Sequence, residues 1–210
     1  MLELGDNVYS DTNSDVCYKE MAYGQKRAIE EYRELMAPSD NAHAPAVMAT
    51  WDDHDFCANN QGDDCPAAFR NSSQEAFLKH FGVVNKQDPR WTGQKGVYSA
   101  TMFGTEPNRD RVNVIMLDTR SSRTATYAAY GQCKGQDSKM LDEPQWSWLE
   151  SQLLGDGKTS EVVVIGSSIQ VLPPTAGTQG QSSVPKGSFC ANDAVQINSE
   201  GKVYACKCTA

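Results

Sequence analysis

Trp51-Asp52-Asp53-His54-Asp55-Phe56 sets three carboxylates and one imidazole in four consecutive positions. Neighbouring carboxylates repel one another, and a cation or solvent must relieve that repulsion. Hard divalent cations take carboxylate oxygens as ligands. The run follows Ala46-Val47-Met48-Ala49-Thr50, a short apolar stretch without a helix cap, so the pattern predicts a strand over 46–51 that opens into a loop. An acidic run alone is more often a solvated turn.

A second acidic loop shifts that balance. Gly5-Asp6-Asn7-Val8-Tyr9-Ser10-Asp11 follows Leu2-Glu3-Leu4, the stub of another strand. Loops that leave β-type runs can meet at the carboxyl edge of an α/β sheet, where ligands usually bind. Together they point to a metal site of hard oxygen ligands and histidine, with Asp6 and Asp53 converging.

The elements that would position these residues follow in order. Residues 16–37 read as a helix with Met21, Ile29, Tyr32 and Met36 on one face, ended by Pro38. Asn59-Asn60-Gln61-Gly62-Asp63-Asp64 is turn-like, and Ser72-Ser73-Gln74-Glu75 reads as a capping box opening a helix through Phe77, Leu78 and Phe81. Strands over 97–103 and 111–118 are expected to pair as a hairpin that delivers Asp118-Thr119-Arg120. Residues 121–141 show no regular pattern. Asp142-Glu143-Pro144-Gln145 has the cap, early proline and reciprocal glutamine of a helix start, with Trp146, Leu149 and Leu153 on one face. Val162-Val163-Val164-Ile165 reads as a fully buried strand, and strands 46–51, 111–118 and 161–166 are expected in one sheet.

Composition bounds the class. The 210 residues suit one domain or slightly more. Hydrophobic residues make up 39%, enough for a core, and the net charge of −8 argues against nucleic acid or an anionic membrane as the main partner. No apolar run approaches the ~18 residues of a membrane span. The seven cysteines lack zinc-finger spacing, and Cys57 and Cys65 could close a short loop behind the acidic cluster, which would imply an oxidising compartment. Residues 175–188 are rich in Gly, Ser, Thr and Gln and read as a linker or tail, with room for a small hairpin within 192–208. A domain over 1–172 and a divergent tail over 173–210 follow. The chain starts so close to its first loop, without a signal peptide, that upstream sequence is expected.

The order of motifs resembles the PhoD-type alkaline phosphatases and phosphodiesterases of the calcineurin-like metallophosphoesterase superfamily. It runs from Gly5-Asp6 and Tyr9 through Trp51-Asp52-Asp53-His54-Asp55 with Asn59-Asn60, Leu117-Asp118-Thr119-Arg120 and Gln145-Trp146-Ser147-Trp148-Leu149 to Ser167-Ser168-Ile169-Gln170. The resemblance covers roughly residues 2–172. It implies a partial metallophosphoesterase fold: an α/β (α+β) sandwich of two mixed sheets flanked by helices, with metals at strand-end loops. It implies metal ligands at Asp6, which would bridge two ions, at Tyr9, a ferric-iron ligand, and at Asp53. His54 would contact phosphate and protonate the leaving oxygen, while Arg120 and Asn60 would contact substrate. Taken by itself Tyr9 is more often a packing aromatic, and Arg120 could simply pair with Asp118. The implied cofactor is a binuclear centre of Fe3+ with Ca2+ or another divalent ion, the implied substrate a small-molecule phosphate ester, and the implied location secreted or extracytoplasmic.

That resemblance also implies metal-binding motifs upstream of Gly5 and downstream of residue 172, and neither occurs here; His43, His54 and His80 are the only histidines. The chain therefore reads as a middle segment of the family that binds metal weakly and turns over poorly, whereas a full-length version would hydrolyse phosphate esters. A truncated or degenerate relative that binds cations or a partner without turnover is the alternative. A small calcium-binding module unrelated to phosphatases ranks behind both.

Overall fold

The computed structural model describes residues 1–11, 13–37, 45–105, 110–124 and 139–169, and the backbone of 196–197 and 203–204. The expected linker over 175–188 lies outside the described residues. The elements run β1 (Leu2–Leu4), α1 (Val16–Ala28), α2 (Glu30–Met36), β2 (Met48–Thr50), α3 (Asp53–Phe56), α4 (Ala67–His80), α5 (Pro89–Thr92), β3 (Ser99–Phe103), β4 (Val112–Met116), α6 (Glu143–Leu154), a short 3-10 turn (Asp156–Thr159), β5 (Val162–Gly166), β6 (Gln196–Ile197) and β7 (Val203–Tyr204). Among the described residues no helix is long and apolar enough to cross a membrane.

The alternating run 97–103 does fold back on 111–118, giving an antiparallel hairpin with Ser99 opposite Met116 and Phe103 opposite Val112. β5 then adds in parallel beside β4, with Val112 opposite Val162. β1 and β2 pair in parallel with Leu2 opposite Met48, and β6 pairs antiparallel with β7. The expected single sheet is therefore split. β2 has its backbone partners in β1, and it meets the larger sheet through a side chain, Thr50 Oγ1 donating to Leu117 O at 2.6 Å. Both pieces end at the same edge, so the split leaves the convergence of their exit loops intact.

Two cores back this frame. Trp51, Phe56 and Phe77 are fully buried between α1, α4 and the β2 exit, with ring centroids 5.0 and 5.5 Å from Trp51. Burying each such ring is worth roughly 1.5–3 kcal/mol. Ile115, Leu117 and Leu149 form the second core under α6.

Several local expectations give way to tertiary context. The helix over 16–37 breaks at Ile29, whose backbone is extended at φ −62° and ψ 124°. The break lets Lys26 on α1 and Tyr32 on α2 both reach the Glu3 carboxylate of β1, with the tyrosine hydroxyl donating at 2.8 Å. Met21 and Ile29 are exposed, while Lys19 and Tyr23 form the buried side of α1, because α4 packs on that side. Ser72 and Ser73 are not a cap but lie inside α4. Ser72 Oγ donates back to Ala68 O at 2.9 Å, and Ser73 Oγ to Phe56 O at 2.6 Å, so each hydroxyl is satisfied in mid-helix. α6 starts where Asp142 and Pro144 predict, with Asp142 Oδ1 accepting from Gln145 N at 3.1 Å. Its buried residues are Gln145 and Leu149, and Trp146 faces outward. β5 is not fully buried: as an edge strand it leaves Val162 and Ile165 each 47% exposed.

Candidate metal centre

The segment after Trp51 is a single helical turn rather than a loop. Asp55, at its third position, accepts from Asp52 N at 2.6 Å, one half of a capping box, and so organises the four-residue α3. The other Asp55 oxygen accepts from Asn7 N at 2.9 Å and Asn7 Nδ2 at 2.6 Å. One buried carboxylate therefore pins the β1 exit loop to the β2 exit helix. Burial pushes the Asp55 carboxyl well above the ordinary range, against the pull of its Asn7 and Asp52 donors. Asn7 Nδ2 also reaches Thr50 O, and Ser10 N donates to His54 O at 3.2 Å. Lys19, buried beneath, donates to Ser10 O at 3.1 Å, and burial lowers its ammonium to about 8 although Asp11 and Asp55 oppose the shift.

Gly5 brings the two loops into contact. At φ +112° a Cβ there would lie 2.5 Å from Asp52 Cβ and 2.9 Å from Ser168 Cβ. Asp6 follows in a left-handed conformation, φ 49°, and turns its carboxylate outward. The result is that ligand atoms of Asp6, Asp53 and His54 all lie within 4.8 Å of one another. Tyr9 joins them: its hydroxyl donates to Asp6 Oδ2 at 3.1 Å and its ring lies 4.4 Å from the His54 ring. The Asp6 hydrogen bond and charge raise the Tyr9 phenol.

Asp53 and Asp52 face the opposite wall. Asp53 Oδ2 accepts from Asn60 N at 2.5 Å, and Oδ1 lies 3.7 Å from an Arg120 nitrogen. Burial alone would raise the Asp53 carboxyl, but the Asn60 amide, Arg120 and His54 outweigh it and hold the group below the ordinary range. Arg120 Nε pairs with Asp52, whose carboxyl burial keeps raised despite that contact. Arg120 is 4% exposed; its main-chain N–H donates to Asp118 Oδ1 at 2.9 Å while its guanidinium serves Asp52 and Asp53. His54 Nδ1 lies 3.1 Å from Asp11 Oδ2, which leaves Nε2 as the nitrogen not engaged by that carboxylate.

All six residues singled out in the sequence thus gather at one edge. Asp6, Tyr9, Asp53 and His54 form the cluster, Arg120 stands against Asp53, and Asn60 meets Asp53 through its backbone. Asp11, Asp55 and Asn7 were not singled out as partners. The signal for Asp55 was its spacing of three from Asp52 at a helix start. Asp11 belongs to the quoted loop but pairs across 43 residues, which no local pattern reveals. Carboxylate oxygens suit a hard cation, and the outward Asp6 beside Asp53 supplies the negative charge that such a cation needs.

Comparison with known proteins adds ancestry to this geometry. The PhoD-like phosphatase family matches residues 1–188, and the chain belongs to that family. A solved structure titled "Structure of PhoD" aligns with a TM-score of 0.50 at 19% sequence identity, a likeness of fold. The alignment covers 79% of this chain and 34% of that one, so the chain spans about a third of the solved protein. No curated protein matches.

Proposed function

We propose that this member of the PhoD-like phosphatase family hydrolyses small-molecule phosphate esters at the Asp6–Asp53–His54 cluster. The observation that carries the reading is the convergence of these three side chains within 4.8 Å, from two separate strand exits. Asp6, Tyr9 and Asp53 would hold the metal pair, with Asp6 contributing to both ions. A ferric ion with calcium or another divalent ion fits a phenolate beside carboxylates. Bound metals would neutralise charge on the phosphoryl oxygens and supply a nucleophile near neutral pH.

The remaining work falls to the chain's own residues. A water oxygen forms the new bond to phosphorus and releases one proton to solvent, the ester P–O bond breaks, and the leaving oxygen takes a proton from His54 Nε2, which solvent then restores. Asp11 accepts at Nδ1 and fixes the ring orientation. Tyr9 packs on the ring and limits its rotation. Arg120 balances Asp52 and Asp53, and its guanidinium would contact the phosphate, with Asn60 as the weaker candidate. The Cys57–Cys65 disulfide supports an oxidising, extracytoplasmic setting.

The test assays a chromogenic phosphomonoester and a diester with calcium and iron supplied. Hydrolysis is expected to vanish with chelator and in Asp53→Asn, and to return when metal is restored to the wild type. Hydrolysis that survives both treatments would sink the reading.

A further inference from the structure

We propose that Arg123 is a positioning residue for the Asp53 carboxylate, acting through the disulfide-closed loop 57–65. The inference rests on the cluster reading above, but its central contact does not depend on a metal.

Asp53 Oδ2 accepts from the Asn60 N–H at 2.5 Å. A hydrogen bond to a carboxylate is directional and strong, so the place of Asn60 sets the direction of that oxygen. Asn60 sits at φ 60°, in the left-handed region that asparagine enters more readily than most residues. Two constraints keep it there. Cys57 and Cys65, both buried, close the loop covalently. Arg123, 3% exposed, engages it from the other side: Nη2 donates to Asn60 O at 2.7 Å, and Arg123 O accepts from Asp63 N at 2.8 Å. Gly62 permits this approach, because a Cβ there would run into Arg123 O.

Arg123 leaves the same turn as Arg120. One turn thus addresses both oxygens of Asp53, Oδ1 by the Arg120 guanidinium and Oδ2 by way of Asn60. A ligand carboxylate with both oxygens oriented is pre-organised, and its outer contacts govern affinity as its first contacts do. A purely structural arginine would brace the loop without any bearing on Asp53.

The experiment compares wild type, Arg123→Met, Arg123→Lys and Gly62→Ala in the full chain. Amide hydrogen exchange is read at Asn60, with Val114–Met116 in β4 as the fold control, and terbium(III) luminescence reports cation affinity. In Arg123→Met the Asn60 amide should exchange about tenfold faster while the β4 amides stay protected. Terbium should bind about tenfold more weakly, the low end of losses from outer contacts at metal sites. Arg123→Lys, which can still donate to Asn60 O, should recover most of both. Gly62→Ala should reproduce the effect by displacing the loop, and it decides the matter if Arg123→Met does not fold. Wild-type protection at Asn60 in the folded variants, or unchanged terbium affinity once that protection is lost, overturns the proposal. If wild type itself binds no terbium, the metal reading falls, and exchange at Asn60 alone decides the positioning.

Discussion

The segments leaving β1 and β4 deliver charge to the same place and are built in opposite ways. After β1, Asp6 is exposed and Tyr9 is 65% exposed. After β4, each residue from Asp118 to Arg123 is at most 4% exposed. Asp118 alone accepts from Val97 N, Arg120 N, Ser121 N and Ser121 Oγ, at 2.7 to 2.9 Å. Gln145 closes the same turn, its amide pairing with Asp118 N and Asp118 O, both at 2.9 Å. The site therefore has an open wall, where ligand can arrive, and a closed wall that fixes the carboxylates. Substitutions on the closed wall should cost stability, and those on the open wall should cost chemistry.

The largest effect should come from Asp118→Ala. It strands several buried donors, and urea unfolding should show a loss of about 3–4 kcal/mol. A loss below about 1 kcal/mol would break the contrast, since that is the range of surface substitutions. His54→Ala should lower kcat/KM about a hundredfold, the low end for a general acid, at near wild-type stability. A drop in melting temperature matching that of Asp118→Ala would place His54 with the scaffold instead.

Acid sensitivity separates the two walls from the rest of the molecule. His80, packed against Tyr23 and Phe81, is lowered to about 3 by burial and then by Arg27 and Lys26. Arg27 Nε donates to its Nδ1 at 3.0 Å, which requires the neutral ring. A depressed folded value means that the unfolded chain takes up the proton first. The stabilisation is present above the unfolded value near 6.5 and is lost as pH falls toward 3. Between pH 7 and 5 the wild type should lose about 1 kcal/mol, discounted because the ring is not wholly enclosed. His80→Gln should flatten that slope; an unchanged slope would move the acid lability to the carboxylate cluster. Smallest of all, Tyr9→Phe should change stability by less than about 0.5 kcal/mol, as an exposed site should. A greater loss in the metal-free protein would close the open wall.

What could be read from the sequence was what depends on near neighbours. Asp142 and Pro144 mark the start of α6 because a cap acts within one turn. Alternation over 97–118 marks the hairpin because its strands are joined directly. Asp6, Asp53 and His54 were legible as types at strand exits, while Tyr9, Asn60 and Arg120 entered through the family resemblance. Their partners were not, because Asp11–His54, Asn7–Asp55 and Arg123–Asn60 are contacts between segments that only the fold brings together. Trp146 misled because apolar character does not say which helix face finds a partner. Val162 and Ile165 misled because an apolar strand reads alike at the centre of a sheet and at its edge. The capping-box pattern at Ser72 was real as letters, but Pro66 had already opened α4 upstream.

The parallel pairing of β1 with β2 carries a consequence for the order of folding. Met1 N donates to Ala46 O across a sequence separation of 45, and the whole β1–β2 register lies at that range. The β3–β4 hairpin pairs residues close in sequence, Phe103 opposite Val112 at its near end. Closing a long loop costs more entropy, and distant contacts slow folding. The hairpin should gain protection first, and the β1 exit loop with Asp6 should arrive late. Interactions made after the transition state leave the folding rate alone and act on the unfolding rate. A cation shared by Asp6 and Asp53 should therefore behave as a latch, prolonging the life of the folded chain while hardly hastening its formation.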